Sequence, residues 1–456
     1  LIPKSGANQF SGSSRDTLTS DDWRALVPRR EGDAFAEDAK IDKIVPTYEY
    51  TLGGPVFRDH LWFFTAGRLQ KQELGRQLAI TNIPYTYSDK TGRYEGKLTY
   101  ALDANHRVQG AYTKINRDIL NNTFQTSLSM DLKSLEDRSL PEDLFTLNYT
   151  GVLTSRFFIE GRYSQRNQTF KGSGSRFTDL QRGTLLVDTS GRRYQSPTFC
   201  GVCTDEQRDN QDVFVKGSYF LSTPHAGSHN LVFGYDLFND KRLANNHQSG
   251  SDYRITNAPA IVEGTEVIAS FVSGTTRIQW NPIFIDSRGT DFRTHSLFVN
   301  DNWRVTERIT ANLGLRWDRN DGADSNGVVV AKEGAISPRL GVVWDPTGEG
   351  MWSVTGSFAK YVAGLLNSIA DITSPAGNPD DYRFLYTGPD INVDPATRVS
   401  NEEAIQRLFD WFETNGGATL PLVTSPSVGG VTPQILDSLD SPNVLEWATG
   451  VNRTFG

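Results

Sequence analysis

Hydrophobic and polar residues alternate one by one along many stretches of this chain. Between residues 309 and 318, one face carries Ile309, Leu313 and Trp317, and the other carries Thr310 and Arg316. Successive side chains of a β-strand point to opposite faces, so this pattern predicts strands with one apolar and one mostly polar face. The same alternation recurs at residues 94–100, 157–164, 213–221 and 231–238.

Short and long connections alternate between the predicted strands. The short ones lie at 57–60, 103–106, 153–156, 222–228, 305–308 and 345–350. The long ones run over 16–46, 74–92, 116–143, 165–211, 239–294, 318–335 and 361–443. Tight turns at one end, long loops at the other and strands of about ten residues are typical of outer-membrane barrels.

The predicted fold class is therefore all-β: a large antiparallel transmembrane β-barrel with long extracellular loops. Lipid offers no hydrogen-bond partner to the backbone, so a sheet that crosses a membrane has to close on itself. The alternating stretches supply about 14 strands, against about 22 in the large outer-membrane barrels, which predicts a partial barrel. The alternative is a soluble all-β protein whose apolar faces form a shared core.

A membrane-spanning barrel predicts the surroundings of several side chains. Tryptophans near predicted strand ends are expected where lipid meets water, because the ring is apolar and its N–H needs a partner. They are Trp303, Trp317, Trp344 and Trp352. The residues predicted to face the membrane are Leu313, Leu315, Trp317, Phe233, Tyr235 and Tyr219. Asp301 breaks the apolar face of Leu297 and Val299, and a position at the rim would explain it.

Composition excludes several classes of protein. The chain has 46 Lys and Arg against 54 Asp and Glu, a net charge of -8, so no basic excess indicates nucleic-acid binding. No apolar run approaches the roughly 20 residues of a spanning helix. An aromatic content of 11% argues against a disordered chain.

The polar faces of the predicted strands carry charges of both signs. They could line a substrate path, or they could pair with one another inside the lumen, and the second interpretation is favoured because such charges solvate each other. The candidate lumen residues are Glu95, Lys97, Glu160, Arg162, Lys216, Arg316 and Arg339.

Other candidate chemistry is sparse. Cys200 and Cys203 are the only cysteines and lie in a long loop. A zinc site needs about four nitrogen or sulfur ligands, so a disulfide that staples the loop is predicted instead. Ser400 and Glu403 form a capping box that predicts a helix up to Gly416, packed over the barrel mouth. No catalytic arrangement, metal site or cofactor site is predicted, so the chain is expected not to be an enzyme.

Five passages, taken in chain order, resemble one family. They are 2–12 (IPKSGANQFSG), 52–64 (LGGPVFRDHLWFF), 300–305 with 313–318 (NDNWRV and LGLRWD), 336–341 (ISPRLG) and 442–450 (PNVLEWATG). In this order they resemble the TonB-dependent outer-membrane receptors, and the combination looks most like the Oar-like branch. Pro3 stands where that family usually has threonine.

The resemblance implies an organisation and a function. Residues 1–8 correspond to the end of a plug domain and residues 9–456 to a receptor barrel truncated at its C-terminal side. Both chain ends look cut, so a fragment without TonB box, most of the plug and the last strands is expected. The family implies a Gram-negative outer-membrane location, a monomer in contact with lipid, an extracellular substrate and a TonB complex that supplies energy. Alternatives are an export barrel, an adhesin or passive channel, and a soluble carbohydrate-binding protein.

Overall fold

The computed structural model describes residues 6–25, 40–123, 128–365, 367–424, 435 and 437–454. Its strands in the first half of the chain are β1 (Ser11–Ser20), β2 (Ile44–Phe57), β3 (Leu61–Gln77), β4 (Pro84–Ala101), β5 (His106–Asn122), β6 (Glu136–Ser139), β7 (Glu142–Thr154), β8 (Phe157–Phe170), β9 (Leu185–Val187), β10 (Arg193–Tyr194) and β11 (Glu206–Thr223). The second half holds β12 (Gly227–Leu243), β13 (Tyr253–Thr256), β14 (Ala260–Glu263), β15 (Glu266–Ala269), β16 (Arg277–Trp280), β17 (Thr290–Arg304), β18 (Ile309–Ala323), β19 (Val329–Trp344), β20 (Trp352–Val362), β21 (Tyr382–Leu385), β22 (Leu422–Thr424) and β23 (Asn443–Arg453).

Three α-helices lie among the described residues, and all of them belong to long connections. They are α1 (Leu180–Gly183), α2 (Asn367–Ile372) and α3 (Asn401–Thr414). Within the described ranges, none of these helices is long and apolar enough to cross a membrane.

A 15-stranded antiparallel sheet forms the wall of the molecule. Its path runs through strands in chain order, and β6 pairs beside the path with β5. The order is β1-β2-β3-β4-β5-β7-β8-β11-β12-β17-β18-β19-β20-β23. Consecutive neighbours joined by turns such as 58–60, 155–156 and 305–308 make this a series of hairpins. The prediction of an all-β partial barrel of about 14 strands is confirmed.

The wall strands are longer than the pattern of alternation predicts. The long loops predicted at 74–92 and 318–335 are wrong, because β3 and β4 are separated only by 78–83, and β18 and β19 only by 324–328. The outer part of β3 shows the reason. It is polar on both faces, with Lys71 and Glu73 on one face and Gln70 and Gln72 on the other, so alternation disappears while the backbone ladder continues.

The apolar face of the wall is bare. Leu313, Leu315 and Phe233 are 40%, 49% and 43% exposed. In a soluble sandwich these side chains would be buried between two sheets. Trp317 is also exposed, whereas Tyr219 and Tyr235 are half-buried among their neighbours on the same face. The wall therefore presents a continuous apolar belt.

Asp301 lies at the rim of this belt, next to a short turn. Its carboxylate is 2.7 Å from Nδ1 of His229 on the neighbouring strand, and the His229 ring stacks on Trp303 with centroids 5.2 Å apart. The Trp303 indole N–H donates to the carbonyl of Ala226 in the 224–226 turn, at 2.6 Å. The pair explains how a carboxylate is accommodated on an otherwise apolar face.

We expect His229→Ala to destabilise the wall by about 1–3 kcal/mol, because it removes the partner of a carboxylate that is only 16% exposed. The second oxygen of Asp301 has no hydrogen-bond partner among the described residues, so the loss is not compensated. Denaturant unfolding in detergent micelles measures the change. His225→Ala, in the exposed turn, is the control. Equal losses in the two variants would contradict the role of the His229–Asp301 pair.

Candidate functional site

Three long outer connections fold together into one unit, which we call the cap (171–205, 244–289 and 363–424, with 128–135). Its six-stranded sheet has the order β10-β9-β13-β16-β21-β22. Strands β9 and β10 come from the first connection, β13 and β16 from the second, and β21 and β22 from the third. Because the β9–β13 and β16–β21 pairings each join two different connections, none of the three can form this sheet alone.

Helix α3 packs on one face of the cap sheet. The Ser400 hydroxyl accepts from the backbone N–H of Glu403, at 3.2 Å, so the helix begins where the capping box predicts. Its apolar residues Ile405, Leu408 and Phe412 are fully buried in a core that also contains residues from all three connections. The sheet residues in this core are Leu186, Tyr194, Ile255, Ile278 and Phe384.

Segment 128–135 is tied to the cap through Asp131. The Asp131 carboxylate accepts from the backbone N–H of Gln195 and of Ser134, both at 2.9 Å. Burial raises the pKa of Asp131, and these hydrogen bonds oppose the rise. Lys133 forms an ion pair of 2.6 Å with Glu402 at the start of α3. A fourth outer connection is thereby fastened to the same unit.

A cavity of about 340 Å³ lies between the cap and the outer ends of the wall strands. Its walls are residues at the outer ends of β6, β8, β11 and β12, the disulfide loop, and segment 244–247. Arg208, Arg242 and Glu206 bring charge to it from the wall side. The cavity thus stands at the end of the polar face of the wall, beneath the cap.

The charges around the cavity are paired with one another. The guanidinium of Arg242 lies 3.1 Å from the Glu206 carboxylate and also contacts Asp371 of α2. Arg208 reaches the same Glu206 at 2.7 Å, and Arg138 pairs with Glu136. Nε of Arg138 is buried without a hydrogen-bond partner among the described residues. The arrangement offers a polar surface with balanced charge.

Cys200 and Cys203 line this cavity and form a disulfide with an S–S distance of 2.06 Å. The backbone of their loop is held by neighbouring segments, since the N–H of Ser175 donates to the Phe199 carbonyl at 3.0 Å. The N–H of Gly201 donates in turn to the Ser175 carbonyl at 2.8 Å. The bridge therefore fixes one wall of the cavity.

The predicted lumen residues lie on the polar face of the wall, and most have a charged partner there. Lys216 and Glu160, which were both predicted, lie opposite each other on the adjacent strands β11 and β8 and form an ion pair of 2.7 Å. Lys97 is buried. The remaining contacts are Glu95 with Arg93 (3.1 Å), Arg162 with Asp212 (3.0 Å), Arg316 with Asp318 (2.7 Å) and Arg339 over the ring of Tyr361 (5.1 Å). Charged groups therefore pair with one another along this face of the wall.

Apart from Cys200 and Cys203, sequence reasoning missed the residues of the cavity and of the cap sheet. Glu136, Arg138, Glu206 and Arg242 all fall inside stretches that were predicted as loops. A signal existed in the cap: the four residues of β13 and the four of β16 each alternate between apolar and polar side chains. Such runs are too short to separate from chance without knowing which strands they pair with.

Comparison with known proteins agrees with this architecture. The family model described as TonB dependent receptor-like, beta-barrel matches residues 48–402. The chain is 23% identical to the TonB-dependent transporter Oar of Myxococcus xanthus over 85% of its own length and 44% of that protein. It thus spans less than half the length of this curated relative.

Solved structures show the same fold. The siderophore receptor PirA of Acinetobacter baumannii has a TM-score of 0.50 and 13% identity, with 84% of this chain and 49% of that chain covered. The outer-membrane transporter YddB of Escherichia coli has a TM-score of 0.50 and 11% identity, covering 80% and 45%. The resemblance to the Oar-like branch and the predictions of an outer-membrane, non-enzymatic protein are confirmed. This chain belongs to the TonB-dependent receptor family, whose members are transporters of the Gram-negative outer membrane.

Proposed function

We propose that this barrel captures an extracellular substrate with its cap and passes it across the outer membrane, using energy delivered by TonB. The observation that carries the proposal is the shared core of the cap, which joins three connections into one rigid surface above a polar wall face. Binding groups held on a rigid scaffold are typical of recognition surfaces. In this proposal the apolar belt contacts lipid and the protein acts as a monomer.

The proposal includes the division into residues 1–8, the end of a plug, and 9–456, the barrel. Residues 1–5 lie outside the described part of the chain. Asn8 supports the division, because its side-chain oxygen accepts from the Trp62 indole N–H at 2.8 Å and from the Asp59 backbone N–H at 3.0 Å. Both partners lie at the short turn between β2 and β3, the end of the wall that faces the periplasm in this family's barrels.

The test compares cells that express the full-length protein with cells whose version has the three cap connections replaced by short Gly-Ser turns. Mass spectrometry of the growth medium measures which solutes disappear. We expect at least one solute to be depleted by the intact protein only, and only when TonB is present. The matched control shortens connection 324–328, which contributes no described residue to the cap core.

Three other outcomes would refute the proposal. Depletion that persists without TonB indicates a passive channel. A peptide or protein that accumulates in the medium indicates export, the alternative offered by the Oar-like resemblance. Uptake that survives removal of all three connections shows that the cap is not the capture surface.

A further inference from the structure

The face of the cap sheet that turns away from α3 is rich in arginine. Along β13, Ile255 belongs to the core beneath α3 and Tyr253 packs against that core. Arg254, which stands between them in the strand, therefore lies on the opposite face of the sheet. The same alternation puts Arg277 and Gln279 of β16 on that face, together with Arg383 of β21. We call Arg254, Arg277, Gln279 and Arg383 the arginine face.

Strand register brings these side chains close together. Gln279 lies directly opposite Arg254 on one side and Arg383 on the other. Arg277 is two residues before Gln279 on the same strand, hence diagonal to both arginines. Neighbouring strands are about 4.8 Å apart and diagonal partners about 7–8 Å, so three arginines flank Gln279 on one face of the sheet.

Positive charge on this face exceeds the negative charge nearby. Asp381 pairs with Arg383 at 2.6 Å and also accepts from the Gln279 amide at 2.8 Å. Nε of Arg254 donates to the neutral side-chain oxygen of Asn281 at 3.0 Å. Nε of Arg277 is buried and has no hydrogen-bond partner among the described residues.

The pKa of Arg254 reflects the same imbalance. Burial lowers the pKa of its guanidinium, the Asp381 carboxylate opposes that effect, and the neighbouring Arg193 and Arg383 lower it further. The cavity beneath the cap differs, because Arg208 and Arg242 there share the Glu206 carboxylate. The arginine face is therefore the place in the cap where added negative charge relieves repulsion.

We propose that the arginine face binds a small polyanion through carboxylate or phosphate oxygens, and that this class of anion is the substrate the cap captures. The proposal rests on the proposed function. A guanidinium presents a planar pair of N–H donors that can bind a carboxylate or a phosphate through two parallel hydrogen bonds. Three arginines that flank Gln279 suit a ligand that carries several such groups. The arginines are half-buried, which strengthens the attraction while leaving access from water.

Calorimetric titration of the full-length protein in detergent, at low ionic strength, tests the proposal with citrate and with inorganic pyrophosphate. We expect at least one of them to bind and to bind more weakly as salt is added. R254Q and R277Q should each raise Kd by about ten- to a hundredfold, because each removes a charged donor from the site. R182Q is the matched control, since Arg182 pairs with Asp179 elsewhere in the cap.

The two probes distinguish a ligand that binds through carboxylates from one that binds through phosphates. Tighter binding of citrate indicates a polycarboxylate, and tighter binding of pyrophosphate a phosphorylated ligand. Protease resistance of the cap shows whether each variant is folded. If one of the two variants fails to fold, the other still allows its affinity to be compared with that of the unmodified protein. Binding of neither probe, unchanged affinity in R254Q and R277Q, or an equal loss in R182Q would overturn the inference. TonB-dependent uptake that survives both substitutions overturns it as well, and leaves the proposed function standing.

Discussion

Phe412→Ala should unfold the cap and leave the wall strands paired. Phe412 is fully buried, and its ring lies 5.1 Å from that of Phe384 and 6.4 Å from that of Tyr253. Its truncation opens a cavity where α3 meets the sheet and costs about 3–5 kcal/mol. A loss of that size is a large part of the stability of an ordinary domain. The cap core is small and meets the wall at Leu78, Ile83 and Tyr85, where β3 connects to β4.

Limited proteolysis of the folded protein in micelles measures this effect, with cleavage expected within 244–289 and 363–424. Retained resistance of the wall to denaturation by detergent at room temperature shows that the barrel is intact. Phe284→Ala is the matched control, because that ring is 63% exposed beside Trp280 and Tyr382, just after β16 of the same sheet. Unchanged protease resistance in Phe412→Ala, or loss of the wall together with the cap, would show that the cap is not a separate cooperative unit.

Because several connections share one core, the test of substrate capture by the loops has to use point substitutions rather than loop deletions. Deleting one connection removes two strands from the cap sheet and exposes the core to which the others contribute. A loss of uptake after such a deletion reports unfolding as readily as loss of a binding group. Point substitutions on the arginine face avoid this difficulty, because those side chains lie on the face opposite the α3 core.

The wall could be predicted from sequence because its two faces meet different surroundings. Within β18, the side chains from Ile309 to Trp317 alternate without interruption, and that is the part that lies in the apolar belt. Beyond the belt both faces meet water, so adjacent residues such as Lys71 and Gln72 of β3 are both polar and give no alternation. The backbone ladder there is fixed by strand pairing, which a single sequence does not reveal.

The cap was only partly predictable. Helix α3 has local signals, a capping box and apolar residues at helical spacing, and it was found. Strands β13, β16 and β21 have four residues each and pair with segments far away in the chain. The convergence of Arg254, Arg277 and Arg383 depends entirely on that pairing, so composition and spacing carry no sign of it.

Alternation predicts which face of the wall the candidate lumen residues occupy, but it does not predict their partners. Alternation alone puts Arg162 and Arg316 on the polar side of the wall. Their partners Asp212 and Asp318 are set by register and by side-chain reach within the sheet. A charged residue on the polar face therefore indicates a neighbouring opposite charge more directly than a substrate contact.

Val299→Arg should destabilise the barrel in a lipid bilayer, whereas Asn300→Arg should leave its stability unchanged. The two residues are adjacent on β17 and both exposed, with Val299 44% exposed on the apolar belt and Asn300 on the polar face. A charge placed against hydrocarbon costs about 2–4 kcal/mol at the middle of the bilayer and about 0–1 kcal/mol near its edge. Val299 lies two residues from Asp301 at the rim, so its cost should fall between these limits. A charge added to a wet, already charged lumen meets water and neighbouring acids instead.

Denaturant unfolding of the full-length protein in phospholipid vesicles measures the difference between these two variants. The pair is well matched, because an arginine is added in both cases at an exposed site of the same strand, and only the surroundings of the two faces differ. The difference should shrink in water-rich detergent micelles, where the belt is covered less completely by hydrocarbon. Equal stability of the two variants in vesicles would mean that both faces of β17 meet water, and the apolar belt would then need a protein partner rather than lipid to cover Val299, Phe233 and Leu315.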